Sequence, residues 1–89
     1  SSTVLIWVKG DSMMDAGIFD GDLVVVEKKP MAHKGEIVVA IVDNQFTLKR
    51  LDLEAGKFIL RAENKAYAPI RPEGELEIFG VMVGLVRKL

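Results

Sequence analysis

A serine in a glycine-bearing bend and a lysine in an extended run are the two residues of this chain with the makings of catalysis. Ser12 lies in Gly10-Asp11-Ser12-Met13, and Lys49 lies in Phe46-Thr47-Leu48-Lys49-Arg50-Leu51. A serine hydroxyl is a weak nucleophile until a neighbouring base removes its proton. The single histidine, His33, sits in Lys28-Lys29-Pro30-Met31-Ala32-His33-Lys34-Gly35 and reads as an exposed loop residue. A histidine triad therefore needs a geometric convergence that the spacing does not supply. A lysine can act as the base only when neutral, and its ordinary pKa is about 10.4. Burial lowers that value, because a low dielectric disfavours the ammonium. The serine also needs backbone N–H donors aimed at the developing oxyanion, and Gly10 allows a tight approach of substrate backbone. Both residues have plainer readings. A Gly-Asp-Ser triplet can be only a turn, and a Lys-Arg pair on a strand can be a solvated face.

Strands must do the positioning. β-branched runs dominate, and no window of adequate length has a helical period. The pattern predicts strands at residues 3–8, 23–27, 36–42, 45–51, 57–61 and 76–86. Turns are expected at Asp20-Gly21, Lys34-Gly35, Asp43-Asn44, Ala55-Gly56 and Glu73-Gly74. Asp-Gly and Asp-Asn pairs tolerate the positive φ of tight hairpins. The clearest hairpin joins 36–42 to 45–51. Residues 13–18 fit one short helical turn, and residues 62–72, with Asn64, Pro69 and Pro72, read as an ordered loop. Alternation places Thr47, Lys49 and Leu51 on one face of their strand and Phe46, Leu48 and Arg50 on the other. The strand before it is apolar on both faces and is expected to be central, so a lysine paired beside it is expected to be desolvated. The fold class is thus mostly β: one domain, residues 1–89, of antiparallel and partly barrel-like sheet.

Composition narrows the function. Eighty-nine residues make one domain with a small core. At 49% hydrophobic and 28% charged, the chain has the make-up of a folded globular domain. Its twelve basic residues are scattered and the net charge is −1, which argues against direct nucleic-acid binding by this segment. Without cysteine there is neither a disulfide nor a thiolate metal site, which fits a reducing compartment. The apolar run 4–8 is too short for a signal-peptide core, and the run 78–86 is too short to cross a bilayer as a helix. Because the chain opens on Ser1-Ser2-Thr3, close to Ser12, it reads as a truncated or processed piece of something longer. Asp11, Asp15, Asp20 and Asp22 match no calcium-loop spacing, so no metal or cofactor is expected.

Longer motifs sharpen the proposal. Val8-Lys9-Gly10-Asp11-Ser12-Met13, followed by Asp15-Ala16-Gly17-Ile18-Phe19-Asp20-Gly21-Asp22-Leu23, resembles the nucleophile region of the LexA/UmuD self-cleaving peptidase family. Gly35-Glu36-Ile37-Val38-Val39-Ala40 and Phe46-Thr47-Leu48-Lys49-Arg50-Leu51 resemble the segment carrying that family's base. The likeness continues through Asn64-Lys65-Ala66-Tyr67-Ala68-Pro69-Ile70 and Ile78-Phe79-Gly80-Val81. It implies Ser12 as nucleophile, Lys49 as general base, and the N–H groups of Ser12 and Asp11 as oxyanion donors. It also implies a homodimer, a cytoplasmic bacterial or phage-encoded protein, and one cut in its own chain at an Ala-Gly or Cys-Gly bond upstream of the serine. A RecA filament on single-stranded DNA is the activator the resemblance implies, within the SOS response to DNA damage. Signal peptidases share Ser/Lys chemistry but usually carry proline soon after the Ser-Met pair, where this chain has Met14-Asp15. Ala16-Gly17 and Ala55-Gly56, the only Ala-Gly pairs, read as turns rather than substrates.

Three roles follow from the resemblance. Asp11 before Ser12, the Asn64–Ile70 wording and Glu77-Ile78-Phe79-Gly80-Val81 favour an UmuD-like accessory subunit of an error-prone translesion polymerase. The alternative is the C-terminal domain of a LexA-type or phage repressor that reaches operator DNA through a separate N-terminal domain. The third is a dimerisation module with an idle dyad. The run 78–86, apolar on both faces, is expected either to be central or to meet a partner.

Overall fold

The computed structural model describes residues 2–89, so Ser1 lies outside the described residues. Six strands follow in order: β1 Thr3–Trp7, β2 Leu23–Lys28, β3 Ile37–Val42, β4 Gln45–Glu54, β5 Lys57–Arg61 and β6 Glu77–Val86. They form one sheet in the order β1-β2-β6-β3-β4-β5, and every neighbouring pair is antiparallel. The expected mostly-β, antiparallel class is the one observed. Asp43 and Asn44 take φ of 50° and 64°, the left-handed geometry that turns β3 into β4.

The strands match the sequence reading to within one residue except at the end of β4, where pairing extends the strand. β4 runs to Glu54, three residues beyond 51, because Asp52, Leu53 and Glu54 pair with Ile59, Phe58 and Lys57 of β5. Asp52 and Glu54 mark a partly solvated strand end rather than a turn. β6 is central, between β2 and β3, which accounts for apolar residues on both of its faces. Register shifts at Val25/Val26 and Val39/Ala40, both against β6, add bend and twist to the sheet.

Alternation along β3 divides the core. Val38 and Ala40 join Leu51, Leu60 and Val81 in one buried cluster. Val39 joins Met13, Ile18, Val24 and Val26 in the other. Gly80 marks a close approach of β6 to β2: a Cβ there would stand 2.5 Å from the Glu27 carbonyl oxygen and 2.7 Å from Val26 Cγ1. Among the described residues no helix is long and apolar enough to cross a membrane.

Candidate active site

The segment between β1 and β2 has almost no ladder to hold it, so its shape comes from anchors. Its ends are tied where the Val8 N–H donates to the Asp22 carbonyl at 2.9 Å and the Gly21 N–H donates to the Val8 carbonyl at 2.9 Å. Gly10 takes φ 82°, a conformation costly for any residue with a Cβ, and its N–H donates to Asp20 Oδ1 at 2.7 Å. Met13 and Ile18 drop into the core at 2% exposure each. Between them the expected helical turn appears as a short 3-10 turn, Met14–Ala16, closed by Gly17 in a left-handed conformation. Ser12 is therefore held between a pinned glycine and a buried methionine.

Lys49 comes from the other side. On β4 it stands directly opposite Val38, which is fully buried, and is itself only 9% exposed. Desolvation by that burial pushes its pKa below the ordinary lysine value. Its Nζ lies 3.1 Å from Ser12 Oγ, 2.8 Å from Thr47 Oγ1 and 3.2 Å from the Leu48 carbonyl oxygen. Three acceptors suit the three protons of an ammonium. They suit the neutral amine equally well: two N–H bonds go to Thr47 and Leu48, and the lone pair faces the serine hydroxyl. The two residues singled out by type in the sequence are thus brought within hydrogen-bond distance across 37 positions of chain.

The dyad sits in a cleft of about 190 Å³ whose lining includes Ile6, Val8, Met13, Val24, Val39 and Leu48. Trp7 and Phe46 also line it and remain 66% and 54% exposed, so its entrance is apolar. Among the described residues neither the Asp11 nor the Ser12 N–H donates to a protein acceptor. His33 is elsewhere: its side chain is 93% exposed and its ring meets Glu36 Oε1 at 3.2 Å. Asp11, Asp20 and Asp22 are engaged separately, by Tyr67, by the Gly10 N–H, and by Arg87 with the Phe19 N–H. Gly17 and Gly56 both take φ 77°, turn conformations that match the reading of the two Ala-Gly pairs.

Thr47 was placed on the lysine's face by alternation, but its hydroxyl contact was not anticipated. The strand period that put it there was signal enough to find it. Asn64 and Tyr67 also touch the loop that carries Ser12, at Asp11. No local pattern could have paired them with a residue more than fifty positions away.

Residues 1–83 match the Peptidase S24-like family, which covers both dyad residues and all but the end of β6. The chain belongs to the Peptidase S24-like family. Its S24-like motifs are those of the LexA/UmuD group of self-cleaving serine peptidases. A LexA repressor of Alcanivorax borkumensis is 51% identical over 86 residues, which cover 96% of this chain and 42% of that protein. LexA repressor 2 of Pseudomonas putida is 49% identical over 86 residues, covering 94% of this chain and 43% of the relative. A LexA repressor of Acetivibrio thermocellus is 42% identical over 89 residues, all of this chain and 42% of the relative. The chain thus spans about two fifths of the length of these curated S24-like relatives. Because the relatives are LexA repressors, they support the repressor reading better than the UmuD-like one that the sequence wording favoured.

Proposed function

We propose that this chain is the self-cleavage domain of a LexA-type repressor, with Ser12 as nucleophile and Lys49 as general base. One observation carries the reading: Lys49 Nζ lies 3.1 Å from Ser12 Oγ in an apolar cleft where burial lowers the lysine's pKa. The neutral amine takes the hydroxyl proton as Oγ attacks the scissile carbonyl carbon. The carbonyl electrons move onto oxygen, facing the Ser12 and Asp11 N–H groups. As the C–N bond breaks, the Lys49 ammonium returns its proton to the departing amine, and water later hydrolyses the acyl-serine. The substrate is a bond between a small residue and glycine, upstream of Ser12 in the whole protein or supplied on another chain.

The partners follow from the same reading. Leu5, Trp7, Val83 and Val86 are apolar and at least half exposed on β1 and β6, which suits a homodimer surface. A RecA filament on single-stranded DNA serves as activator, and operator DNA is bound by the part of the repressor that this chain does not span. An UmuD-like role remains the second reading. It is favoured by Asp11 before the nucleophile and by the Asn64–Ile70 segment, whose Asn64 and Tyr67 hydrogen-bond to that aspartate. Operator binding by the whole protein separates the two.

The test of the dyad uses a fluorophosphonate, followed by intact mass. Ser12 Oγ forms the bond to phosphorus, fluoride leaves, and Lys49 accepts the proton. Labelling at Ser12 is expected to rise toward alkaline pH and to vanish in Ser12→Ala and Lys49→Ala. Labelling at wild-type rate in Lys49→Ala would remove lysine from the mechanism. A chain that takes no label at any pH would instead be the idle dimerisation module.

A further inference from the structure

The Ser12 N–H can stabilise an oxyanion only if the peptide that carries it is held in one orientation. That peptide joins Asp11 to Ser12. Being planar and trans, it points the Asp11 carbonyl and the Ser12 N–H in opposite directions, so fixing one fixes the other. Residues 10–12 lie in a bend without strand pairing, so no ladder does the fixing. Within the loop the Met14 N–H donates to the Asp11 carbonyl at 3.3 Å, and the other contacts come from residues 63–67, which follow β5. Asn64 Nδ2 donates to the Asp11 carbonyl oxygen at 2.9 Å, and Tyr67 Oη donates to Asp11 Oδ1 at 2.6 Å.

The grip is itself braced. Asn64 Oδ1 accepts from the Ala66 N–H at 2.9 Å, and its carbonyl accepts from the Tyr67 N–H at 3.1 Å. The next peptide along is held too, since the Glu63 N–H donates to the Ser12 carbonyl at 2.9 Å. The Asp15 N–H returns a bond to the Glu63 carbonyl, also at 2.9 Å. The Glu63 carboxylate then pairs with Arg50, the neighbour of Lys49 on β4. A continuous set of polar contacts therefore ties the orientation of the nucleophile's peptide to the strand that carries the base.

We propose that Asn64 and Tyr67 are positioning residues that hold the Asp11–Ser12 peptide with its Ser12 N–H turned toward the reacting carbonyl oxygen. The proposal rests on the Ser12–Lys49 reading. Both residues act through Asp11 and touch neither the hydroxyl nor the amine, so they govern the rate at which an already deprotonated site reacts.

Fluorophosphonate labelling of Ser12 across the pH range tests this, because the phosphoryl oxygen occupies the oxyanion position. Asn64→Ala and Tyr67→Phe are expected to lower the alkaline plateau about tenfold or more, by misaligning one donor. The midpoint of the pH profile is expected to stay at the wild-type value, since the acceptors around Lys49 are untouched. Thermal midpoints near wild type are expected for Tyr67→Phe, which removes one hydroxyl from a 44%-exposed residue and remains the deciding variant if Asn64→Ala fails to fold. Wild-type plateaus would overturn the proposal. So would a lowered plateau that moves together with the midpoint, which would place the effect on the lysine. Failure of the wild-type chain to label would overturn the dyad reading itself, a result distinct from either of these.

Discussion

Replacing Thr47 with valine removes one acceptor from Lys49 and nearly nothing else. The Thr47 hydroxyl accepts from Nζ at 2.8 Å, the shortest of the amine's three contacts. A hydrogen bond to a charged group contributes about 1.5–3 kcal/mol, and one between neutral groups about 0.5–1.5 kcal/mol. The ammonium thus loses about 1 kcal/mol more than the neutral amine. At about 1.4 kcal/mol per pKa unit, the lysine should titrate roughly 0.7 units lower. Burial already depresses this pKa, and losing the acceptor adds to that depression. Labelling of Ser12 by a fluorophosphonate, followed across about pH 6 to 11, reads the midpoint directly. The Thr47→Val profile should shift toward acid by about half to one unit, with a lower plateau because the amine has lost an orienting partner. Thr47→Ser, which keeps the acceptor, should restore the wild-type midpoint. An alkaline shift in Thr47→Val would refute the reasoning, since it would mean that the hydroxyl donates to the amine lone pair and supports the neutral form.

Lys49→Met probes the cost of burial. The folded pKa lies below the unfolded one, so the unfolded chain binds more protons in the window between them, and stability rises with pH there. Urea unfolding should therefore show wild type gaining on Lys49→Met as pH climbs toward about 10, by up to roughly 1.4 kcal/mol per pH unit. A gap independent of pH would contradict a depressed lysine. Gly80→Ala should destabilise by about 1–3 kcal/mol in the same assay, because its Cβ would stand 2.5 Å from a backbone oxygen of the neighbouring strand. Arg87→Gln tests the acid limb. Arg87 and the Phe19 N–H hold the Asp22 carboxyl down to about 2. A depressed carboxylate contributes stability above its unfolded pKa and loses it as pH falls through the folded value. Acid unfolding of Arg87→Gln, followed by far-ultraviolet circular dichroism, should accordingly begin at higher pH than in wild type.

Local pattern carried much of the fold. Alternating β-branched runs placed all six strands, and Asp43-Asn44 marked the β3–β4 hairpin, because strand period and turn geometry depend on near neighbours. The end of β4 was missed because Asp52 and Glu54 look like turn residues until β5 pairs with them. The run 78–86 could be read as central or partnered, and only the strand order decided it. An apolar stretch records that it is covered, not by what.

The same division runs through the site. Residue types and motif order were enough to single out Ser12 and Lys49, since a serine in a glycine-bearing bend and a lysine on an apolar hairpin are chemical statements a sequence can make. Their 3.1 Å separation, the three acceptors around Nζ and the burial that lowers its pKa belong to the tertiary structure. So does the approach of Asn64 and Tyr67 to Asp11, across 53 and 56 positions of chain. Hydrogen bonds between side chains that far apart leave no periodicity behind. They exist only once the sheet has formed and brought together the loops that follow its two edge strands.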